Sequence, residues 1–151
     1  MFAVYNGTRY RLVKDGKAWE LVSKKPESIS DGFIKDGGVF YKSVNDLSEL
    51  EEVFDISIFV EYETHLPNVP SIWELEFSKE FFTDNSVKLV FGMGLLPGWN
   101  VEDKNVSSRY VNVSEISRAW IETKSKTNDI EKREEIEPRM LYEKYNEIVS
   151  M

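Results

Sequence analysis

The chain has 151 residues and a formal net charge of −8 at pH 7, with 41% hydrophobic and 30% charged residues. This composition is typical of a folded protein, the length predicts one domain over residues 1–151, and the acidity argues against direct binding to nucleic acid. The absence of cysteine excludes disulfides, thiolate nucleophiles and cysteine-ligated metal centres.

The N-terminal segment carries the signals of consecutive β-hairpins. Asn6-Gly7 and Asp15-Gly16 are dipeptides that suit type I′ turns, because both central residues of such a turn adopt positive φ. With Asp15-Gly16 as the turn, Leu12 faces Trp19, and the apolar side chains share one face of the sheet. The predicted strands are 2–5, 8–14 and 17–23.

A third hairpin and a short helix are predicted next. Asp36-Gly37-Gly38 suits a turn between short strands at 33–35 and 39–42. Ser43 is a residue type that begins helices, and apolar residues follow it at the spacing of one helix face. The predicted central helix spans residues 43–54, and its apolar positions are Val44, Leu47, Leu50 and Phe54.

Alternation of apolar and polar side chains returns after this helix. It predicts strands at 56–63, 72–78 and 87–93. Pro67 and Pro70 place a loop between the first two of these strands. A second loop, rich in Gly and Pro, is expected from Gly92 to about residue 108.

The C-terminal third is predicted to be mainly helical after a last strand near residues 110–113. Ser114 precedes apolar residues at helical spacing up to Thr123, and Pro138 suits the first turn of a final helix. The final helix has an apolar stripe of Leu141, Tyr142, Tyr145, Ile148 and Val149. The order of elements predicts an α+β fold, in which a mostly antiparallel, meander-type sheet carries one short central helix and C-terminal helices packed on it.

Negative charge is concentrated in residues 43–78, which contain no lysine or arginine. If strands 56–63 and 72–78 form a hairpin, four glutamates project from one sheet face, where their mutual repulsion is destabilising. Such a face suits a basic partner unless Lys88, Arg9 or Arg11 neutralises it. The predicted partner-binding residues are Glu61, Glu63, Glu74 and Glu76 on this face, Glu51, Glu52 and Asp55 before it, and Trp99.

Two interpretations of Trp99 remain open from the sequence. A tryptophan beside a Gly/Pro-rich loop either packs back into the core or stays exposed as an anchor for a partner. The predicted binding surface includes Trp99 in the second of these roles.

Residues suited to catalysis are few, and His65 is the only histidine. One alternative function is a carboxylate-dependent hydrolase of the glycosidase type, which uses Glu61, Glu63, Glu74 and Glu76 together with His65. That chemistry requires a carboxyl group with a raised pKa in a cleft, whereas alternation places these glutamates on a solvated face. We therefore assign no catalytic residue, metal or cofactor.

The sequence favours a binding protein over an enzyme. The leading hypothesis is a small acidic inhibitor, most concretely an immunity protein, that neutralises a basic toxin or nuclease through its acidic face. A further alternative is a structural module that forms a homodimer through its aromatic faces. Charged residues interrupt the N-terminal segment and no apolar run reaches the length of a membrane span, so we expect a cytoplasmic protein without a membrane partner.

Overall fold

A computed structural model describes all 151 residues of the chain, and β-strands dominate it. The strands are β1 (Phe2–Tyr5), β2 (Thr8–Asp15), β3 (Ala18–Ser23), β4 (Ile34–Asp36), β5 (Val39–Val44), β6 (Glu52–Glu61), β7 (Ile72–Leu75), β8 (Ser86–Phe91), β9 (Asn100–Asp103), β10 (Val106–Asn112), β11 (Arg118–Ser125) and β12 (Glu131–Ile136). The single α-helix, α1, is Leu141–Val149, and short 3₁₀ helices lie at Pro26–Asp31, Leu47–Glu49, Lys79–Phe81, Val113–Glu115 and Pro138–Met140. The strand pairs β1–β2, β2–β3, β6–β7 and β8–β10 are antiparallel, which confirms a mostly antiparallel sheet with a C-terminal helix. A bilayer-spanning helix is absent, since α1 has only nine residues.

The chain divides into two compact units, each made of more than one segment. The first unit consists of Met1–Ile56, Thr123–Lys132 and Glu147–Met151. The second unit consists of Ser57–Glu122 and Arg133–Asn146. The chain passes between the units several times, and the prediction of one domain over residues 1–151 stays a prediction.

The sheet of the first unit is built largely from the predicted N-terminal hairpins. Its strand order is β12-β11-β6-β1-β2-β3-β5-β4, in which β6, β11 and β12 contribute the residues that belong to this unit. Asn6 and Gly7 both have positive φ, at 49° and 75°, as a type I′ turn requires. Gly37 and Gly38 connect β4 to β5. Both of these predicted hairpins are confirmed.

The hairpin between β2 and β3 forms in a register that differs from the predicted one. Leu12 pairs with Leu21, and Lys14 pairs with Trp19, whereas the sequence predicts Leu12 opposite Trp19. The cause is the turn, which consists of Gly16 and Lys17 because Gly16 takes the positive φ of 62° at its first position. The pairing shifts by two residues, so the apolar side chains remain on one face of the sheet.

That apolar face forms the core of the first unit. Tyr10, Leu12 and Leu21 project from it and are at most 3% exposed. The ring of Tyr10 packs against Phe33, with ring centroids 4.6 Å apart, and its hydroxyl donates a hydrogen bond to Asp31 at 2.5 Å. The remaining buried members of this cluster are Ala3, Phe40, Val44, Leu50 and Val53.

The second unit combines the pairing of β6 and β7 with a three-stranded sheet in the order β8-β10-β9. Trp73, on β7, stacks on Trp99 with ring centroids 5.6 Å apart and meets the edge of Phe91 at 6.3 Å. Tyr145, on α1, stacks on Phe82 at 4.2 Å. Aromatic contacts between distant segments therefore hold this unit together.

The predicted central helix over residues 43–54 is wrong. Val44 ends β5, Leu47 begins a 3₁₀ helix of three residues, and Phe54 belongs to β6. The helical spacing arises because Val44 and Leu50 are buried in the core of the first unit and Leu47 packs against it, although the chain between them forms only a 3₁₀ turn. Asp46 stabilises that turn, because its carboxylate accepts a hydrogen bond from the Ser48 N–H at 2.9 Å.

Of the predicted C-terminal helices, only the last is confirmed, with Pro138 just ahead of α1. The segment that follows Ser114, predicted to be helical, instead contains the strand β11, in which Ala119, Trp120 and Ile121 are buried in succession. A strand buried on both faces loses its alternation, so its apolar residues also fit helical spacing. Strand β12 is almost entirely charged, and no apolar pattern predicts it.

Candidate partner-binding site

Glu74 and Glu76, like Glu63, are members of the predicted acidic face that have no basic group within 4.0 Å. Glu74 lies on β7, which pairs only with β6, and the adjacent Leu75 points into the core at 1% exposure. Both glutamates are exposed, and neither has a basic group within 4.0 Å. With Leu75 and Phe77 they line an open groove of about 380 Å³. The edge at β7 therefore carries two exposed carboxylates that form no ion pair.

Glu61, in contrast, is neutralised within the second unit. Its carboxylate lies 3.7 Å from the guanidinium of Arg118 and accepts a hydrogen bond from the Ser117 hydroxyl at 3.1 Å. Arg118 is shared with Glu135, at 2.6 Å, and lies over the ring of Trp120 at 5.1 Å. The hydrogen bond to Glu135, together with the charges of Arg118 and Arg133, lowers the pKa of Glu135. No local sequence signal pairs Glu61 with Arg118, since the two lie far apart in the chain.

Glu63 and His65 lie beyond the end of β6. The carboxylate of Glu63 accepts a hydrogen bond from the backbone N–H of His65 at 3.0 Å, which stabilises a local turn. His65 is exposed and has a positive φ of 60°. Glu63 therefore serves the loop geometry in this structure, and Glu61 and Glu63 are held differently from Glu74 and Glu76.

The three acidic residues predicted ahead of this face belong to the first unit. Asp55 forms an ion pair with Lys126 at 3.0 Å and lies 4.0 Å from the amino group of Met1. Glu51 accepts a hydrogen bond from the backbone N–H of Gly7 at 2.9 Å. Glu52 forms no ion pair within 4.0 Å. The predicted partner-binding residues are thus divided between the two units.

Trp99 packs back into the core rather than standing exposed. It is 9% exposed and stacks on Trp73. The interpretation of Trp99 as an exposed anchor is therefore wrong for this structure. The Gly and Pro residues before it allow the chain to fold over and bury the indole ring.

The loop before Trp99 is held in place and exposes other apolar side chains. The hydroxyl of Ser107 donates a hydrogen bond to the carbonyl of Gly94 and accepts one from the N–H of Leu96, both at 2.8 Å. The backbone N–H of Gly94 donates to the carbonyl of Asn105. The apolar loop surface consists of Met93 and Leu95, which are 88% and 56% exposed, and Val101 on β9, which is 68% exposed.

Lys88 does not neutralise the acidic edge of β7. Its ammonium group lies 2.7 Å from the Glu102 carboxylate and 5.4 Å from the ring centre of Phe81. The Ser108 hydroxyl donates to the same carboxylate. The hydrogen bond to Glu102 raises the pKa of Lys88, and the hydrogen bonds from Lys88 and Ser108 lower the pKa of Glu102. This network fixes β8, β9 and β10 to one another.

Residues 1–128 match the model of a family described as "Uncharacterised conserved protein UCP033725". The chain belongs to this family. No curated protein and no solved structure matches the chain. The family match covers β1 to β11, so it includes every residue of the candidate surface and ends before β12 and α1.

For this member of the UCP033725 family, the two alternative functions, a carboxylate-dependent hydrolase and a structural homodimer, remain predictions. No group of three or more His, Asp or Glu side chains is placed to hold a metal ion. A carboxylate-dependent hydrolase requires free carboxyl groups around a substrate, and Glu61 is engaged by Arg118 and Ser117. Neither the hydrolase nor the homodimer is tested by these contacts.

Proposed function

We propose that this protein is a cytoplasmic inhibitor, most concretely an immunity protein, that binds a basic toxin or nuclease. The observation that carries the proposal is the pair Glu74 and Glu76, which are exposed at a strand edge with no basic group within 4.0 Å. A carboxylate that the chain leaves unpaired keeps its attraction for a cation on another molecule.

Charge complementarity of this kind acts mainly on encounter. Opposite charges steer two proteins together and raise the association rate, and salt screens the attraction over a Debye length of about 8 Å at physiological ionic strength. We therefore expect Glu74 and Glu76 to control the association rate more than the dissociation rate.

Close contact requires apolar groups as well as charge. The apolar loop surface supplies three such side chains, Met93, Leu95 and Val101, on a segment fixed by hydrogen bonds to Ser107. A loop backbone that is already held loses little conformational freedom on binding, so the cost is limited to the side chains. In the proposed complex, this surface resists dissociation, in the role that the sequence assigns to Trp99.

The test uses the purified protein products of the genes adjacent to this one. Surface plasmon resonance measures the binding of each product at low and at physiological salt. We expect a basic product to bind, with an association rate that falls steeply as salt rises, and its toxicity to be relieved when the two proteins are co-expressed. The double variant Glu74→Gln with Glu76→Gln should slow association about tenfold at low salt.

The matched control removes the same charge elsewhere on the surface. Asp36 and Glu49 are exposed and have no basic group within 4.0 Å, so Asp36→Asn with Glu49→Gln should leave association close to wild type. The double variant Met93→Ala with Leu95→Ala should speed dissociation. The proposal fails if no adjacent product binds, or if both charge-removing pairs slow association equally.

A further inference from the structure

The first unit contains a polar pocket that the proposed inhibitor function does not use. Its volume is about 260 Å³, which suits a small metabolite rather than a protein segment. The end of β11, the turn after it and the start of β12 form one wall, and β2 and β6 form the other. Phe54, 1% exposed, and Ser125, 3% exposed, also line the pocket.

Charges of both signs line this pocket without pairing with one another. The cations are Arg9 and Lys132, and the carboxylates are Glu51 and Glu52. None of the four forms an ion pair within 4.0 Å. Arg9 instead lies over the ring of Phe54 at 5.4 Å, and Glu51 uses one oxygen to accept the Gly7 N–H. Two positive and two negative groups give the pocket no net charge.

Sheet register places one cation and one carboxylate of the pocket on the same face of the sheet. Val4 is paired with Arg9 on one side and with Glu52 on the other, so the two charged residues lie two strands apart on the same face. At about 4.8 Å between neighbouring strands, their backbones are about 10 Å apart. The Arg9 guanidinium lies over Phe54 and forms no ion pair with Glu52 within 4.0 Å, so a small molecule with a charge at each end can bridge the two groups.

The β11–β12 wall of the pocket is held in one conformation. The hydroxyl of Ser125 accepts hydrogen bonds from the backbone N–H groups of Thr127 and Asn128, at 3.2 and 3.4 Å. The side-chain oxygen of Asn128 accepts from the N–H of Ile130 at 3.1 Å. These bonds leave the Asn128 amide N–H₂ group and the Thr123 hydroxyl available to a ligand. A wall fixed before binding reduces the entropy that binding costs.

We propose that this pocket binds a neutral, polar free amino acid. Arg9, with Lys132 beside the same pocket, receives the carboxylate, Glu52 receives the ammonium group, and Thr123 and Asn128 contact a polar side chain. Full charges at both ends favour a zwitterion over an uncharged polyol, because hydrogen bonds between charged groups are roughly twice as strong as those between neutral groups.

Isothermal titration calorimetry of the full chain tests this proposal with L-serine, L-threonine, L-asparagine and L-glutamine as individual probes. We expect saturable binding of one molecule per chain for at least one of them. The analogues of that amino acid that lack either the carboxylate or the amino group should bind at least about tenfold more weakly. Glucose serves as the neutral polyol probe and should produce no saturable signal.

Matched variants locate the binding in the pocket. Arg9→Met should weaken the affinity at least about tenfold, whereas Arg11→Met should leave it unchanged. Arg11 lies on the same face of β2, opposite Phe2, and does not line the pocket. Glu52→Gln should likewise weaken the affinity, whereas Glu49→Gln should leave it unchanged because Glu49 does not line the pocket. Circular dichroism establishes that each variant is folded.

The proposal is overturned if none of the four amino acids binds, if glucose binds as well as they do, or if Arg9→Met and Arg11→Met behave alike. These outcomes are independent of the inhibitor function.

Discussion

The two units stabilise a polar group among apolar side chains in different ways. In the first unit, the neutral hydroxyl of Tyr10, a residue 3% exposed, donates a hydrogen bond to Asp31. In the second unit, the charged ammonium of Lys88, a residue 9% exposed, pairs with Glu102, which also accepts a hydrogen bond from Ser108. In the first contact a neutral hydroxyl donates to a carboxylate, and in the second a charged ammonium group forms an ion pair with a carboxylate.

This difference sets the pH range in which each contact stabilises its unit. Burial, followed by the contact with Asp31, raises the pKa of Tyr10 from 10.0 to about 12, so on the alkaline side its contribution is kept up to pH 10 and is lost as the pH rises toward 12. The pKa of Lys88 is raised above 10.5 and that of Glu102 is lowered below 4.5. Their pair therefore loses its contribution at both extremes of pH, as Glu102 gains a proton in acid or Lys88 loses one in alkali. The kind of partner, and not burial alone, decides the pH response.

The largest effect is expected at Lys88. Lys88→Ala should lower the free energy of unfolding by about 2–3 kcal/mol at neutral pH, because it removes the ion pair, the contact of the ammonium group with the Phe81 ring and a largely buried aliphatic stem. Lys88→Met keeps most of the stem and should cost less. Urea unfolding, followed by circular dichroism, measures both variants.

The pH dependence of the Lys88 variants checks the comparison directly. The difference between wild type and Lys88→Met should shrink as the pH falls below 4.5, because Glu102 becomes protonated in the wild-type protein. A difference that stays constant from neutral to acid pH would show that the ion pair contributes nothing and that Lys88 acts through packing alone.

A smaller effect is expected at Tyr10. Tyr10→Phe keeps the ring on Phe33 and removes only the hydroxyl, so it should lower the free energy of unfolding by about 1–2 kcal/mol at neutral pH. The difference from wild type should disappear between pH 10 and about 12. A difference that stays constant through this pH range would contradict the role of the Tyr10 hydroxyl.

The sequence predicts a structural feature well when neighbouring residues determine it, and poorly when distant segments of the chain determine it. Asn6-Gly7 specifies its turn locally, since these residue types take positive φ readily. The turn at Gly16 is specified only to within one residue, because Gly16 suits either of two turn positions. The strand around Trp120 is an element that local sequence does not predict. The neighbours of Trp120 in β11 are buried on both sides, and burial by distant segments leaves no alternation to detect.

The candidate surface likewise combines features that local sequence predicts with features that depend on distant residues. The glutamates at 74 and 76 are exposed as their alternation with buried Trp73 and Leu75 predicts. The pairing of Glu61 with Arg118 depends on the path of the chain, and that path runs through a segment predicted to be helical. The burial of Trp99 likewise depends on Trp73, a residue distant in sequence. Local pattern predicts which way a side chain points, and only the fold determines what it meets.

The smallest effect is expected at the two carboxylates that form no ion pair, Glu74 and Glu76. Glu74→Gln with Glu76→Gln removes two exposed carboxylates that no basic group approaches within 4.0 Å, so the midpoint of urea unfolding should stay close to wild type or rise slightly. Relief of repulsion between like charges is the reason for a rise, and added salt should reduce it. A fall in the midpoint would mean that these glutamates stabilise the fold, and slower partner association in this variant would then no longer identify a binding surface. An unchanged or raised midpoint, together with slower association, separates the role of this edge from the stabilising roles of Tyr10 and Lys88.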